Sequence, residues 1–132
     1  MLPECRSLWF RVLYNKVHSQ ELIALFRSDV SAACPFCSAP SESTEHLLVS
    51  CPIKMSIWRL VLRIHYPYLA FEPAHIISVL WSLWIPPYVS PTPFRLLCAA
   101  ITRAIWVTHW AFVRQGTPFS ETTVLSKIKR LY

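Results

Sequence analysis

Apolar side chains recur every three or four residues over most of this 132-residue chain, which is the spacing of one helix face. Prolines stand at the expected starts of these segments, as at Pro3, Pro52 and Pro73, because a proline in the first helical turn gives up no hydrogen bond. Alternating apolar and polar residues, which predict strands, are scarce. The pattern therefore predicts an all-α fold, a small helical bundle.

The apolar segments predict six helices, which begin next to Pro3, Ser19, Pro52, Glu72, Thr92 and Ser120. Pro86 and Pro87 are expected to stop the fourth helix after Ile85, because neither can donate a helical hydrogen bond. The fifth helix is expected to run from Pro93 to Gln115 and to end at Gly116, which accepts a left-handed conformation. In the third helix, the residues predicted to share the buried face are Ile57, Leu60, Val61 and Ile64.

The composition narrows the classes of function. The single glycine disfavours phosphate-binding loops, which need several residues at positive φ. Hydrophobic residues make up 54% of the chain and charged residues 15%, which is apolar for a soluble monomer. Part of the surface is therefore expected to be covered by a partner or a membrane. The formal charge of +6 favours a polyanionic partner.

Five cysteines are present, an odd number, and the first residues lack the basic start and long apolar run of a signal peptide. We therefore expect a reducing intracellular compartment, the nucleus or the cytoplasm, where clustered cysteines bind metal more often than they form disulfides. Cys5 and Cys98 stand alone and are expected to be small buried side chains. The other three lie in one stretch, CPFCSAPSESTEHLLVSC, from Cys34 to Cys51.

This stretch has the spacing C-x2-C-x8-H-x4-C, and its candidate metal ligands are Cys34, Cys37, His46 and Cys51. Two cysteines at this separation can direct both sulfurs at one ion at about 2.3 Å, and the second pair completes a tetrahedron. A Cys3His set leaves no position open to water, which is typical of structural zinc. The alternatives are chance clustering and a redox pair. The redox pair is disfavoured because reactive cysteines lie at helix N-termini, and SAPSES after Cys37 does not start a helix.

The segment CPFCSAPSESTEHLLVSCPIKMSIW resembles the zinc-binding region at the C-terminal end of reverse transcriptases from non-LTR (LINE-type) retrotransposons. In that family a cysteine pair is followed by a glutamate, a histidine-leucine, a further cysteine and a tryptophan, which here are Glu45, His46-Leu47, Cys51 and Trp58. The upstream LWFRVLYNKVHSQELIALF is similar to the helical lead-in, and the downstream AAITRAIWVTHWAF to a tryptophan-bearing helix. The resemblance is specific up to Trp58, which we expect to pack near the metal loop and to couple it to the bundle.

The resemblance implies zinc on the four ligands and a role in holding RNA or DNA during target-primed reverse transcription. It also implies one zinc-binding domain over residues 1–132, with the metal loop at 34–51 and C-terminal helices at 93–131. The polymerase itself needs clustered aspartates for two magnesium ions, and Asp29 is the only aspartate here. We therefore expect no enzymatic activity, and an upstream reverse transcriptase domain as a further partner.

Basic and aromatic residues near the C-terminus predict the nucleic-acid surface. Each helical residue advances ~100° around the helix axis. By that rotation, five residues of the fifth helix fall within an arc of about 100°. They are Arg95, Arg103, Trp106, Trp110 and Arg114. Guanidinium groups interleaved with indoles suit single strands, since they neutralise phosphates and offer stacking surfaces. The remaining candidates are Arg59, Arg63, Lys127, Lys129 and Arg130.

Two other functions remain open at this point. In one, the zinc only stabilises a structural or protein-interaction domain, or an element remnant, whose tryptophans contact a separate polymerase domain. In the other, FRLLCAAITRAIWVTHWAFV spans a membrane, for which it has the length. Arg95, Arg103 and His109 argue against the membrane, because such groups are costly in hydrocarbon. We therefore expect no membrane partner.

Overall fold

The computed structural model describes all residues from 1 to 132, which form six α-helices and one π-helical turn, with no strand. The helices are α1 (Pro3–Leu13), α2 (Gln20–Ala24), α3 (Pro52–His65), α4 (Pro73–Ser82), α5 (Pro91–Gln115) and α6 (Glu121–Leu131), and the π turn is His46–Ser50. The predicted all-α class is confirmed. The long helix α5 is central to the bundle, because α1, α6 and the π turn all pack against it.

Most helix ends follow from local sequence signals. Prolines occupy the first turn of α1, α3 and α4, as predicted. Ser19 and Ser120 cap α2 and α6, where their hydroxyl oxygens accept hydrogen bonds from the amides of Leu22 and Thr123. Gly116 ends α5 in the left-handed conformation, with φ of 70°.

Two helix ends differ from the prediction. α5 begins at Pro91 with Ser90 as its N-cap, so the expected cap Thr92 lies inside the first turn. Pro91 already has the φ that a first helical position needs, so the helix starts at the earlier proline. α4 ends at Ser82, before the two prolines that were expected to stop it. The reason is that Leu83 takes up a left-handed conformation, with φ of 59°, and closes the helix.

Helix α3 buries a face that is rotated from the predicted one. Ile57 and Val61 are buried, but Ile64 is 65% exposed. The inner side of the helix instead includes Lys54 and Trp58, both fully buried. The rotation brings Trp58 against the metal loop, to which it donates a hydrogen bond described below.

Helix α5 turns an apolar face to the core. Its fully buried apolar residues include Leu97, Ile101, Ala104 and Ile105. By length and composition α5 could cross a membrane, because a stretch of 18 residues within it has a mean hydropathy of 1.5. However, 61% of that stretch is buried inside the fold. Packing at the centre of the bundle is therefore a sufficient reason for its apolar character.

Candidate metal centre

The four predicted metal ligands lie together at one end of the bundle. The ligand atoms of Cys34, Cys37, His46 and Cys51 are all within 4.8 Å of one another. The Sγ atoms of Cys34 and Cys51 are 4.0 Å apart, and Cys37 Sγ is 3.2 Å from His46 Nε2. A tetrahedral ion held by thiolates and imidazole separates such atoms by roughly 3.5 to 3.8 Å. The donor set and its spacing therefore fit one metal ion.

The first ligand pair is held by a compact loop. The amide of Cys34 donates to the carbonyl of Ala39 at 2.9 Å, which closes the loop around Cys37. The amide of Phe36 points at Cys34 Sγ at 3.5 Å. Burial raises the pKa of Cys34 to about 12, and the amide of Phe36 opposes this effect, because an amide hydrogen directed at sulfur favours the thiolate that binds metal. The contact between Phe36 and Cys34 forms inside the short turn that joins the two cysteines.

The second ligand pair is set by the π turn. The amide of Cys51 donates to the carbonyl of His46 at 3.1 Å, and this bond between residues five apart brings the two ligands onto one side of the turn. Cys51 is also the N-cap of α3, with Pro52 as the first helical residue. The π turn and the start of α3 therefore share one ligand.

Trp58 and Phe36 join the metal loop to the helices. Trp58 is fully buried, and its indole Nε1 donates to the carbonyl of Leu48 at 2.8 Å, inside the π turn. The expected packing of Trp58 near the loop is thus confirmed. Phe36 was not predicted to have a role. Its ring centre lies 4.6 Å from that of Phe112 and 5.3 Å from that of His109, so the first cysteine turn packs directly on α5.

A cluster of three buried polar side chains lies between the metal loop, α3 and α5. Glu42, Lys54 and His109 are all fully buried, with no exposed surface. Lys54 Nζ donates to the carbonyl of Leu47 at 3.0 Å and lies 3.2 Å from His109 Nδ1. His109 Nε2 is 3.6 Å from Glu42 Oε1, which also accepts a hydrogen bond from the amide of Gln20 at 3.1 Å. Three elements far apart in sequence thus meet through titratable side chains.

Burial disfavours the charged form of each member of this group. Burial, with a further contribution from the charge of Lys54, lowers the pKa of His109 to about 3. Burial also lowers the pKa of Lys54, an effect opposed by Cys51, Glu42 and the other two ligand cysteines. The pKa of Glu42 is raised by burial. His109 is therefore neutral at pH 7, and its Nδ1 can accept a hydrogen bond from Lys54.

Sequence analysis missed Glu42 and Lys54, and it considered His109 only as a group that is costly in a membrane. One signal was available for Lys54. It lies three residues before Ile57 and seven before Val61, which is the spacing of the buried stripe of α3. The other two could not be found, because nothing local marks a glutamate in a loop or a histidine in an apolar helix as buried together.

The predicted nucleic-acid residues do not form one surface, and Arg95 lies apart from the others, in a groove with residues of α1. Arg103, Trp106, Trp110 and Arg114 line one side of α5, in an open groove of about 350 Å³. Arg103 also lines an adjoining groove of about 310 Å³ with Lys127 and Arg130 of α6. Lys129 is exposed on α6. Arg59 and Arg63 line a third groove, where Arg59 pairs with Glu72 at 3.4 Å.

The indoles of α5 are not open stacking surfaces. The guanidinium groups of Arg11 and Arg103 lie 5.2 Å and 5.1 Å from the ring centre of Trp106. Arg114 lies 5.2 Å from the ring centre of Trp110, which is only 7% exposed. This side of α5 therefore presents arginines that rest on indoles, rather than free aromatic faces.

Comparison with known proteins supports the metal centre. Residues 1–58 match the family described as zinc-binding in reverse transcriptase. The matched region runs from α1 into α3 and contains all four ligands together with Trp58. The resemblance to a reverse transcriptase zinc-binding region is thus confirmed over these residues. Neither the curated proteins nor the solved structures contain a significant match.

Proposed function

We propose that this chain is a zinc-binding module that holds nucleic acid, like the C-terminal region of a LINE-type reverse transcriptase, and that it has no polymerase activity of its own. The observation that carries the proposal is the assembled Cys3His set within the family-matched region. Three thiolates and an imidazole suit zinc better than magnesium or calcium, which prefer oxygen ligands. With four protein ligands, the ion would stabilise the fold rather than activate water.

Metal analysis tests the zinc assignment. Purified protein is expected to contain one zinc per chain, and Cys37→Ser is expected to lose it. Cys98→Ala is the matched control, because Cys98 is a buried cysteine of α5 outside the cluster and should leave the zinc content unchanged. Equal zinc content in Cys37→Ser and the parent protein would contradict the assignment.

The proposed nucleic-acid surface consists of the two adjoining grooves of α5 and α6. Arg103 lines both of them, so the basic residues Arg114, Arg103, Lys127 and Arg130 form a continuous series. Because the indole faces are already covered by arginines, we expect phosphate contacts to dominate over base stacking. Binding of RNA or DNA single strands should then be salt-sensitive and largely independent of sequence.

A salt titration with a single-stranded oligonucleotide tests this surface. Log affinity should fall with log salt at a slope of roughly −0.7 for each contacted phosphate. Arg103→Gln and Arg114→Gln should each flatten the slope by about one contact. Arg27→Gln is the charge-matched control. Arg27 is an exposed residue that precedes the metal loop in the sequence and pairs with Asp29. If the zinc-loaded protein does not bind the oligonucleotide at low salt, the nucleic-acid function is wrong. The protein-interaction function described next would then remain.

An alternative function is protein interaction by a zinc-stabilised domain. One surface of the protein supports it. An apolar groove of about 250 Å³ lies on α1 and the end of α4, lined in part by Trp9, Phe10, Leu13 and Leu83. Phe10 is 60% exposed there. A separate reverse transcriptase domain is the partner that the family match favours. Phe10→Glu should then abolish association with that domain while leaving oligonucleotide binding unchanged.

A further inference from the structure

Lys54 is in an unusual position for a lysine. It is fully buried at the start of α3, three residues after the ligand Cys51. Its ammonium lies 4.6 Å from the ring centre of Phe36 in the cysteine turn and 5.6 Å from that of Phe119. It also donates to the carbonyl of Leu47 in the π turn. A buried charge of this kind needs a partner of opposite charge, because its desolvation is expensive.

The neighbouring groups do not supply that partner by themselves. His109 contributes a neutral imidazole nitrogen at 3.2 Å. Glu42 is nearer to His109 than to Lys54, and its Oε2 is buried without a hydrogen-bond partner. The aromatic rings of Phe36 and Phe119 offer only weak attraction to a cation. The protein groups around Lys54 therefore leave part of its charge unbalanced.

The occupied metal centre supplies the missing charge. Binding one divalent ion to three thiols and one imidazole displaces three protons into solvent. Two positive and three negative charges then leave the centre with a net charge of −1. Three thiols and one neutral imidazole, by comparison, carry no net charge. Metal binding thus creates one negative charge close to Lys54, whose ammonium contacts Leu47, the neighbour of the ligand His46, and the ring of Phe36 in the cysteine turn.

We propose that Lys54 is the counter-cation of the metal centre, that His109 orients it from α5, and that Glu42 of the loop acts through its contact with His109. This inference rests on the proposed zinc-binding function and deepens it. Lys54 binds no metal itself. Its ammonium balances the tris-thiolate charge, while its contacts to the π turn and to His109 join the centre to α5. Removing this positive charge should weaken metal binding, whereas removing the nearby negative charge should not.

The test is a titration of the full chain with Co²⁺, followed by Zn²⁺ competition. Thiolate-to-cobalt absorption reports binding directly, and circular dichroism reports folding. Lys54→Met keeps the length of the side chain but removes its charge, and it should weaken affinity by about 10- to 100-fold, the usual effect of losing a group that supports a metal ligand. Lys54→Arg should retain most of the affinity. Lys129→Met is the control, because it makes the same charge change on an exposed residue of α6.

Glu42→Gln separates charge from packing. It keeps the shape and the acceptor oxygen that Gln20 contacts but removes a possible negative charge. The variant should bind Co²⁺ as tightly as the parent or more tightly. Unchanged affinity in a folded Lys54→Met, or a tenfold or greater loss in Glu42→Gln, would overturn the inference while leaving the metal site intact. If Lys54→Met does not fold, a tenfold or greater loss of affinity in Lys54→Arg or Glu42→Gln still overturns the inference. A parent protein that binds neither ion would overturn the proposed function as well.

Discussion

The first part of the metal loop, residues 34–45, and the core of α5 lie against each other, yet they bury different kinds of side chain. Between residues 34 and 45 the buried residues are Cys34 and Glu42 alone. Along α5, by contrast, buried apolar residues occupy almost every turn from Phe94 to Ile105. One region depends on a bound ion and on specific polar contacts, and the other depends on apolar area removed from water.

This difference predicts how each region responds to damage. Apolar cores lose stability roughly in proportion to the cavity that a substitution leaves. Residues 34–45, which bury little apolar area, should instead lose their order together with the ion. The two regions are joined by Phe36, Trp58 and the Lys54–His109 contact, so the loss should also reach the helices.

Metal removal should produce the largest effect. A strong chelator removes an interaction worth about 10 kcal/mol or more in comparable small sites. Because Trp58 donates to the carbonyl of Leu48 between two ligands, tryptophan fluorescence and helical circular dichroism should change together. Metal loss that leaves both signals unchanged would mean that the loop is an independent appendage. Adding zinc back should restore both signals.

A cavity in the core of α5 should come next. Ile105 is fully buried, and Ile105→Ala should lower the free energy of unfolding by about 2 to 5 kcal/mol. Zinc affinity of the folded protein should stay within about twofold of the parent, because the change removes apolar contacts and no charge. Denaturant unfolding and chelator competition on the same sample measure both quantities. A large loss of zinc affinity would show that the two regions are less separable than their composition implies.

Changing the contact between the regions should have a smaller effect. Phe36 is half-buried against Phe112, Phe119 and His109, so Phe36→Ala should lower the free energy of unfolding by about 2 kcal/mol. It should also weaken zinc binding, because the cysteine turn loses its support on α5. Phe10→Ala is the control, since Phe10 is a largely exposed phenylalanine of α1. Similar losses from the two variants would contradict the role given to Phe36.

Acid should have the smallest effect that can be assigned to one residue. Burial, and then the charge of Lys54, lowers the pKa of His109 to about 3, so the folded protein does not take up the proton that the unfolded chain binds below pH 6.5. Stability should therefore fall as the pH decreases below 6.5, by about 1.4 kcal/mol between pH 7.5 and pH 5.5.

Denaturant unfolding of zinc-loaded protein at pH 7.5 and 5.5 measures this loss. His109→Gln should lose about 1 kcal/mol less than the parent over that interval. His18→Gln, a change of an exposed histidine, should behave like the parent. Parallel pH profiles for the parent and His109→Gln would contradict the burial of a neutral imidazole at this position.

Local sequence determined most of the architecture of this protein. Prolines, the serine caps at Ser19 and Ser120 and the terminal Gly116 act within one helical turn, so their consequences follow from neighbouring residues alone. The four ligands were also predictable. The spacing of each pair lets a short turn bring its members together, and metal chemistry restricts the residue types.

The tertiary structure alone decided which faces meet and which polar groups are buried. Helical periodicity defines a stripe but not its neighbours, so it did not reveal that Trp58 rather than Ile64 faces the core. Lys54 and His109 are 55 residues apart, and no local pattern can show that they touch. The arginines that cover Trp106 likewise come from α1 and α5. Such contacts depend on the packing of whole helices, because burial is a property of the assembled bundle and not of a segment.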